Sequence, residues 1–359
     1  EWRIWKKGLV IRSESDIKSL VDALIKSTSR PSDDDFFTGC EFFLLSALIG
    51  YLRYHAKKKE QNFSNVIRLI LALVPNEKDI SKQSAVDELF EAVRKENPDD
   101  FSVKQYDRLI FSAGRTLKSV LVSALVRLKD FNLDEVKSMT DSDDLHLEKL
   151  SDEKTALFVI VPQTDNHLMF LASLLCHQIC QMNLGHCRDT AAFAQHVKDG
   201  DGEVRCPIQI QFLPSDFARI PYIRDFPFLI CALQGGGMSV RMGIQSVEQL
   251  EQVYGKKWRE LADKCDICIY LGGGTTRETF LWLSERLSLS GSKTNKFEFS
   301  WDRAQKIPSV FRSLTRSKCV IHVKGHQPVV VDKYPPTEHP DWKIASDLAA
   351  DSSHKPTDE

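Results

Sequence analysis

The sequence predicts an α/β fold, a mostly parallel sheet covered by helices, joined to an all-α block. Three observations predict it. Helical periodicity fills residues 32–144. From residue 156 to about residue 324, short apolar runs alternate with helical stretches, the pattern of strand-helix crossovers and hence of parallel strands. Within that part, residues 208–213 (Ile-Gln-Ile-Gln-Phe-Leu), 238–244 (Met-Ser-Val-Arg-Met-Gly-Ile) and 266–273 (Asp-Ile-Cys-Ile-Tyr-Leu-Gly-Gly) read as strands of one sheet, with 208–213 at its centre. Ligands of such sheets sit at the carboxyl ends of the strands. Chemistry is therefore expected at Pro214-Ser215-Asp216, Gln245-Ser246 and Gly272-Gly273-Gly274.

With 359 residues, 42% hydrophobic and 27% charged, the chain can bury a large core and form about two domains. A formal net charge of -2 excludes a global attraction to nucleic acid or anionic lipid, so any such binding must come from a local patch. Nine cysteines, an odd number lying mostly in apolar runs such as residues 174–180, suit a reducing compartment rather than a disulfide framework. No stretch reaches the ~20 apolar residues of a membrane span. Residues 36–54 are the richest, and Glu41 and Arg53 interrupt them. No signal peptide is read, and the start at Glu1-Trp-Arg-Ile-Trp, without Met, suggests a fragment of a longer protein.

In chain order, Ser13-Glu-Ser-Asp16 predicts a capped helix whose buried face is Ile17, Leu20, Val21, Leu24 and Ile25. Ser32-Asp-Asp-Asp35 opens a second helix, with acidic residues where the helix dipole favours them. Breaks at 57–59, 75–76 and 97–98 divide the following block into four to six helices. Residues 156–161 (Ala-Leu-Phe-Val-Ile-Val) predict a strand ended by Pro162, residues 168–182 a helix, and residues 319–324 a last strand. The tail, 334–359, is rich in Pro, Asp and Ser and reads as flexible.

Several stretches resemble the TraG-like coupling proteins of type IV secretion and conjugation. They include residues 36–54, Gln61-Asn-Phe-Ser-Asn-Val66, Ala113-Gly-Arg-Thr-Leu-Lys-Ser119, residues 152–162, Ile244-Gln-Ser-Val-Glu-Gln-Leu250, Trp258, Cys265-Asp266 and Tyr270-Leu-Gly-Gly273. The resemblance covers nearly the whole chain in order. It implies a RecA-like, P-loop NTPase-type motor domain formed by residues 1–30 and 151–333, with an all-α domain, 31–150, inserted into it. It further implies a hexameric ring ATPase that uses ATP and Mg2+ at the cytoplasmic face of the bacterial inner membrane, with its membrane anchor outside this chain. Such proteins hand relaxosome- and relaxase-bound single-stranded DNA, or secreted protein substrates, to the secretion channel.

Departures from the family pattern bear on catalysis. A motor of this kind needs a GxxxxGK[ST] loop to cradle phosphates, and no such sequence occurs in these residues. Gly272-Gly-Gly-Thr-Thr-Arg277 is the nearest Gly-rich turn, without the spacing or the Lys, so no phosphate-binding residue is assigned. Where the family ends a strand in Asp-Glu, this chain has Ser215-Asp216, a degenerate metal- and water-positioning pair. The alternative is that these two residues only cap the next turn. The family's arginines facing the neighbouring subunit's nucleotide correspond to Gln234 and Gly236. Gln245 matches a polar sensor, and equally reads as a strand-end glutamine bonded to backbone. Two functions follow: a coupling ATPase, or a non-hydrolysing paralogue that binds substrate or partners.

Outside the motor pattern, Lys104, Arg108, Arg115, Lys118 and Lys129 fall on one helical arc with Phe111 and Val122, suited to a nucleic-acid backbone unless Gly114 breaks the helix. A solvated face is the alternative. Cys176, Cys180, His186 and Cys187 read as core packing ahead of a zinc site. Cys265 and Cys268 have CxxC spacing, but residues three apart on a strand point to opposite faces. His167, His322 and His326 read as structural or exposed, and no metal site is assigned.

Overall fold

The capping box predicted at Ser13 is present: the Ser13 hydroxyl accepts from the Asp16 N–H at 3.3 Å, and the Asp16 carboxylate accepts from the Ser13 N–H at 2.9 Å. It starts α1 (Glu14–Thr28), whose buried face carries Ile17, Leu20, Val21, Leu24 and Ile25. The computed structural model describes residues 11, 13–29, 33–73, 84–140, 145, 147, 150–161, 167–189, 208–273, 276–288 and 314–343. The chain divides into two units, Glu1–Ile244 with Gln252–Leu261, and Gln245–Glu251 with Ala262–Glu359.

In the first unit, Asp34 caps α2 (Asp35–His55) by accepting from the Phe36 N–H. Five more helices follow among the described residues: α3 (Phe63–Ala72), α4 (Ala85–Glu96), α5 (Phe101–Ala113), α6 (Leu117–Arg127) and α7 (Asp134–Thr140). The predicted break at 57–59 is a 3-10 turn and Asn97 ends α4, while 75–76 lies outside the described residues. α2 is the hub of this block, packing along α5 and touching α1, α3 and α6. By length and composition, α2 and the helical run Phe101–Arg127 are each sufficient to cross a membrane, against the sequence reading. In α2, however, Glu41 is 1% exposed and ion-paired with Arg127, and Phe101–Arg127 is not one α-helix, because Gly114 at φ 46° turns the chain between α5 and α6.

α8 (Met169–Asp189) packs on α1 and on α9 (Phe226–Gly235). Strands β1 (Ile210–Phe212) and β2 (Met238–Val240) pair in parallel, Ile210 opposite Met238 and Phe212 opposite Val240. The parallel pair is the one the sequence predicts, and among the described residues β1 is bonded to β2 alone. Among the described residues, 156–161 join no ladder, and Phe158 is 84% and Ile160 78% exposed. An apolar run supplies side chains for a strand, but a ladder also needs a neighbouring backbone. Near this segment, one bond from the Ile208 N–H to the Ser151 carbonyl (3.0 Å) marks an approach to the β1 region.

The second unit contains β3 (Ile267–Tyr270), α12 (Arg277–Ser288), β4 (Lys318–Val323) and β5 (Val329–Asp332). α10 (Val247–Tyr254) and α11 (Trp258–Asp263) are shared between the two units. The sequence predicts β3 in one sheet with β1 and β2; among the described residues it instead pairs antiparallel with β4, which pairs antiparallel with β5. The register places Cys268 and Tyr270 on the face that α12 covers, where Leu283, Leu287 and Val320 form the core. Period-two patterning states that a strand exists and which side it buries; it does not name the partner. Residues 333–343 continue past β5 with a 3-10 turn at Pro336–Glu338, and the rest of the tail lies outside the described residues.

Candidate nucleotide edge and nucleic-acid face

Beyond the last residues of β1 and β2 the parallel bonding continues into the loops. The Arg241 N–H donates to the Phe212 carbonyl, the Gly243 N–H to the Pro214 carbonyl and the Phe217 N–H to the Gly243 carbonyl, each at 2.9 Å. These bonds hold Ser215-Asp216 as a turn at the carboxyl end of β1. The turn is anchored below by Phe217, which is fully buried against Phe226 (ring centroids 5.2 Å apart) and stacked on Tyr254 (5.8 Å). Only glycine fits at 243: a Cβ there would lie 2.1 Å from the Ser215 carbonyl oxygen.

Both Ser215 and Asp216 are exposed, and among the described residues neither side chain has a hydrogen-bond or ion-pair partner. Asp216 precedes the 3-10 turn Phe217–Arg219 without capping it through its side chain, so the simple capping alternative is not what the turn shows. A free hydroxyl and a free carboxylate suit a hard cation that keeps most of its own waters. A triphosphate has no matching cradle among the described residues. Gly272 (φ 83°) and Gly273 (φ 100°) make a turn after β3, but no lysine follows it in the spacing that phosphate binding requires.

Gln245 is exposed in the second unit, and its Oε1 accepts from Gln249 Nε2 at 3.4 Å. Gln234 lies exposed in the last turn of α9, and Gly236 caps that helix, its Cα facing Leu184 so closely that a Cβ would come within 3.1 Å of Leu184 Cδ2. Two features were not singled out in the sequence. Arg241 is exposed beside the Ser215 turn and has no ion-pair partner among the described residues; a lone cation inside an apolar strand run was its signal. Glu248 accepts from hydroxyls brought by a helix thirty residues away, and nothing local signalled it.

The basic residues of the all-α block are spread over several elements. Lys104 and Arg108 lie on α5, Arg115 in the turn after Gly114, Lys118 on α6 and Lys129 in the 3-10 turn that follows. All are exposed, as are Phe111 (91%) and Val122 (54%). Lys104 pairs with Asp99 at 2.8 Å, and Arg108 reaches Gln105 at 3.5 Å. Lys118 and Val122 line a shallow cavity of about 500 Å3 with Phe37, Ser119 and Ser123. Residues 108–129 contain no acidic side chain.

Cys176 and Cys180 are buried on α8; burial raises both thiols, Cys180 to about 12, which leaves them as small apolar packing groups. The side chains of His186 and Cys187 lie outside the described residues. Among those described, no three His, Cys, Asp or Glu side chains converge to hold a metal. Cys265 precedes β3 and Cys268 lies within it, and burial raises both thiols. His322 is buried with both ring nitrogens unpartnered, whereas His167 and His326 are exposed.

A parallel strand pair flanked by helices, with an all-α block on the same chain, is an α/β arrangement of the RecA-like fold class. Residues 7–330 match the family Type IV secretory system Conjugative DNA transfer, and the chain belongs to that family. Among solved structures it is similar to the plasmid coupling protein TrwB in complex with ADP and Mg2+ (16% identity, TM-score 0.64, 94% of this chain and 73% of that one). TrwB in complex with the GTP analogue GDPNP (17% identity) gives the same score and coverage. The bacterial conjugative coupling protein TrwBdeltaN70 in its unbound form matches at 14% identity and TM-score 0.61, over 92% of this chain and 70% of that one. At these identities the likeness is one of fold. No curated protein sequence matches. The family acts in conjugative DNA transfer through type IV secretion, and its coupling proteins associate with the inner membrane.

Proposed function

We propose that this chain works at the cytoplasmic face of the bacterial inner membrane as part of a coupling protein that recruits DNA or protein substrates for the secretion channel. In this reading residues 31–150 are a substrate-contacting domain set into the motor fold of 1–30 and 151–333. Single-stranded DNA from the relaxosome runs along Lys104, Arg108, Arg115 and Lys118, and six copies form a ring. Ser215 and Asp216 hold the Mg2+ side of a bound nucleotide, and Gln245 serves as the polar sensor. The observation that carries the proposal is the unpartnered Ser215-Asp216 turn at the end of a parallel strand, in a chain of the conjugative transfer family.

A second reading is favoured by specific residues. Asp216 is one methylene shorter than the glutamate of the family pattern, and Gln234 and Gly236 cannot neutralise a γ-phosphate. The chain then binds nucleotide or substrate without turnover. Both readings predict Mg2+-dependent binding of a fluorescent ATP analogue that Asp216→Asn weakens about tenfold or more, the worth of one charge-assisted contact. Binding that is independent of Mg2+ and unchanged in Asp216→Asn would remove the turn from the site.

A further inference from the structure

In the second unit one carboxylate gathers two loops. Thr279, near the start of α12 and 6% exposed, uses its hydroxyl fully: it accepts from the Val247 N–H at 3.0 Å and from Thr276 Oγ1 at 2.9 Å, and donates to Glu248 Oε2 at 3.1 Å. Thr276 caps α12 in turn, its hydroxyl accepting from the Thr279 N–H at 3.3 Å. Ser246, also buried, hydrogen-bonds Glu248 and accepts from the Gln249 N–H. Burial works against the Glu248 charge, yet the hydroxyls of Thr276, Thr279 and Ser246 and its own backbone N–H, gathered around the carboxylate, hold it below the usual range. Glu248 and Thr276 therefore sit at the N-terminal ends of α10 and α12, where a negative charge and hydroxyl acceptors satisfy otherwise orphaned N–H groups.

The two segments so joined are those the functional reading needs. One begins with Gln245 and enters α10; the other leaves β3 through Gly272 and Gly273 and enters α12 at Thr276. Gly272 and Gly273 are both at positive φ, and the turn they make is held on one side by the Tyr270 hydroxyl, which donates to the Gly273 carbonyl at 2.7 Å, and on the other leads to Thr276. Gln249, one residue past Glu248, donates through its side-chain amide to Gln245 Oε1 and so carries the placement back to the sensor-like side chain.

We propose that Glu248, Thr276 and Thr279 form a clasp of positioning residues that holds the Gln245 segment and the Gly272–Gly273 turn as one piece, so that a ligand gripped by either segment moves both. The inference rests on the reading of this edge as nucleotide-binding. Its test compares Thr279→Val, which is isosteric but cannot hydrogen-bond, with Thr279→Ser, in the 359-residue chain. Amide exchange is followed at Val247 and across the Gly-rich turn, with and without Mg2+ and the ATP analogue. Without ligand, Thr279→Val speeds exchange of Val247 and of the turn together by about tenfold, the worth of one buried hydrogen bond, and Thr279→Ser restores the wild-type rates. With ligand, the wild type gains protection in both segments, whereas Thr279→Val binds within about threefold of the wild type and gains it in one segment only. Concerted protection in Thr279→Val would overturn the clasp. If the wild type binds no nucleotide, the nucleotide reading fails, and the ligand-free comparison still decides: equal exchange of the turn in wild type and Thr279→Val overturns the proposal.

Discussion

Arg127 is the residue whose removal the fold should feel most. Its side chain is 7% exposed and meets α1, α2 and the segment that leads into α2 at once. Nε donates to Glu41 Oε2 of α2 at 2.5 Å, Nη1 to the Ile25 carbonyl and Thr28 Oγ1 of α1 at 3.1 and 2.7 Å, and Nη2 to Asp33 at 3.3 Å. The guanidinium thereby satisfies part of the open carbonyl end of α1 and neutralises a carboxylate that is 1% exposed. Arg127→Met keeps the volume and removes the charge. Glu41 is left buried without a cation, its other oxygen already unpartnered, a situation that costs ~3–5 kcal/mol. The paired substitution Glu41→Leu with Arg127→Met removes both charges and should recover most of that cost, because well-packed apolar replacements of buried ion pairs are often neutral or better. Urea denaturation followed by far-ultraviolet circular dichroism reads the cost as the midpoint shift multiplied by the slope. A single substitution costing under ~1 kcal/mol, or a double variant no more stable than the single one, would refute the argument that desolvated Glu41 dominates.

Three other outcomes are expected. Reversing Arg108 and Arg115 to Glu should weaken single-stranded DNA binding and lower the salt slope by about 0.7 for each phosphate that is no longer neutralised; equal binding in titrations at several salt concentrations returns these residues to a solvated face. His177 on α8 is buried beside Arg224, with Ser19, Asp22 and Asp225 around it, and burial and then Arg224 lower it to about 4 from 6.5. The unfolded chain takes up a proton below pH 6.5 that the folded chain refuses, so this contribution, whole above pH 6.5, disappears as pH falls to 4. The drop amounts to ~3 kcal/mol, and His177→Gln should lack it when unfolding is compared at about pH 7 and about pH 4.5. Finally, the 359-residue chain should show no ATPase activity, whereas turnover at ~1–100 s⁻¹ in a phosphate-release assay would show that Ser215-Asp216 suffices. In the reverse experiment, Ser215→Asp, Asp216→Glu, Gln234→Arg and Gly236→Arg act on one transition state and are expected to count only together; at 236 the new side chain must also displace Leu184.

The sequence by itself determined what depends on neighbours along the chain. The Ser13 capping box, the acidic start of α2, the buried face of α1 and the turn after β1 all follow from residues within one or two helical turns, where spacing and residue type decide the outcome. Ordered motifs carried the family for the same reason, since a motif is local text. Tertiary structure alone decided the pairings. β3 took β4 as its neighbour, and residues 156–161 took none among those described, because a strand's pattern fixes its faces and not its partner. Glu41, which reads in the sequence as an interruption of an apolar helix, is completed by an arginine 86 residues away. The close approach of the Ser215 carbonyl to Gly243, in the loop after β2, and the gathering of the Thr276 and Thr279 hydroxyls at Glu248 are likewise not written in local sequence. Such contacts join segments far apart in the chain, so only the folded backbone brings them within hydrogen-bonding distance.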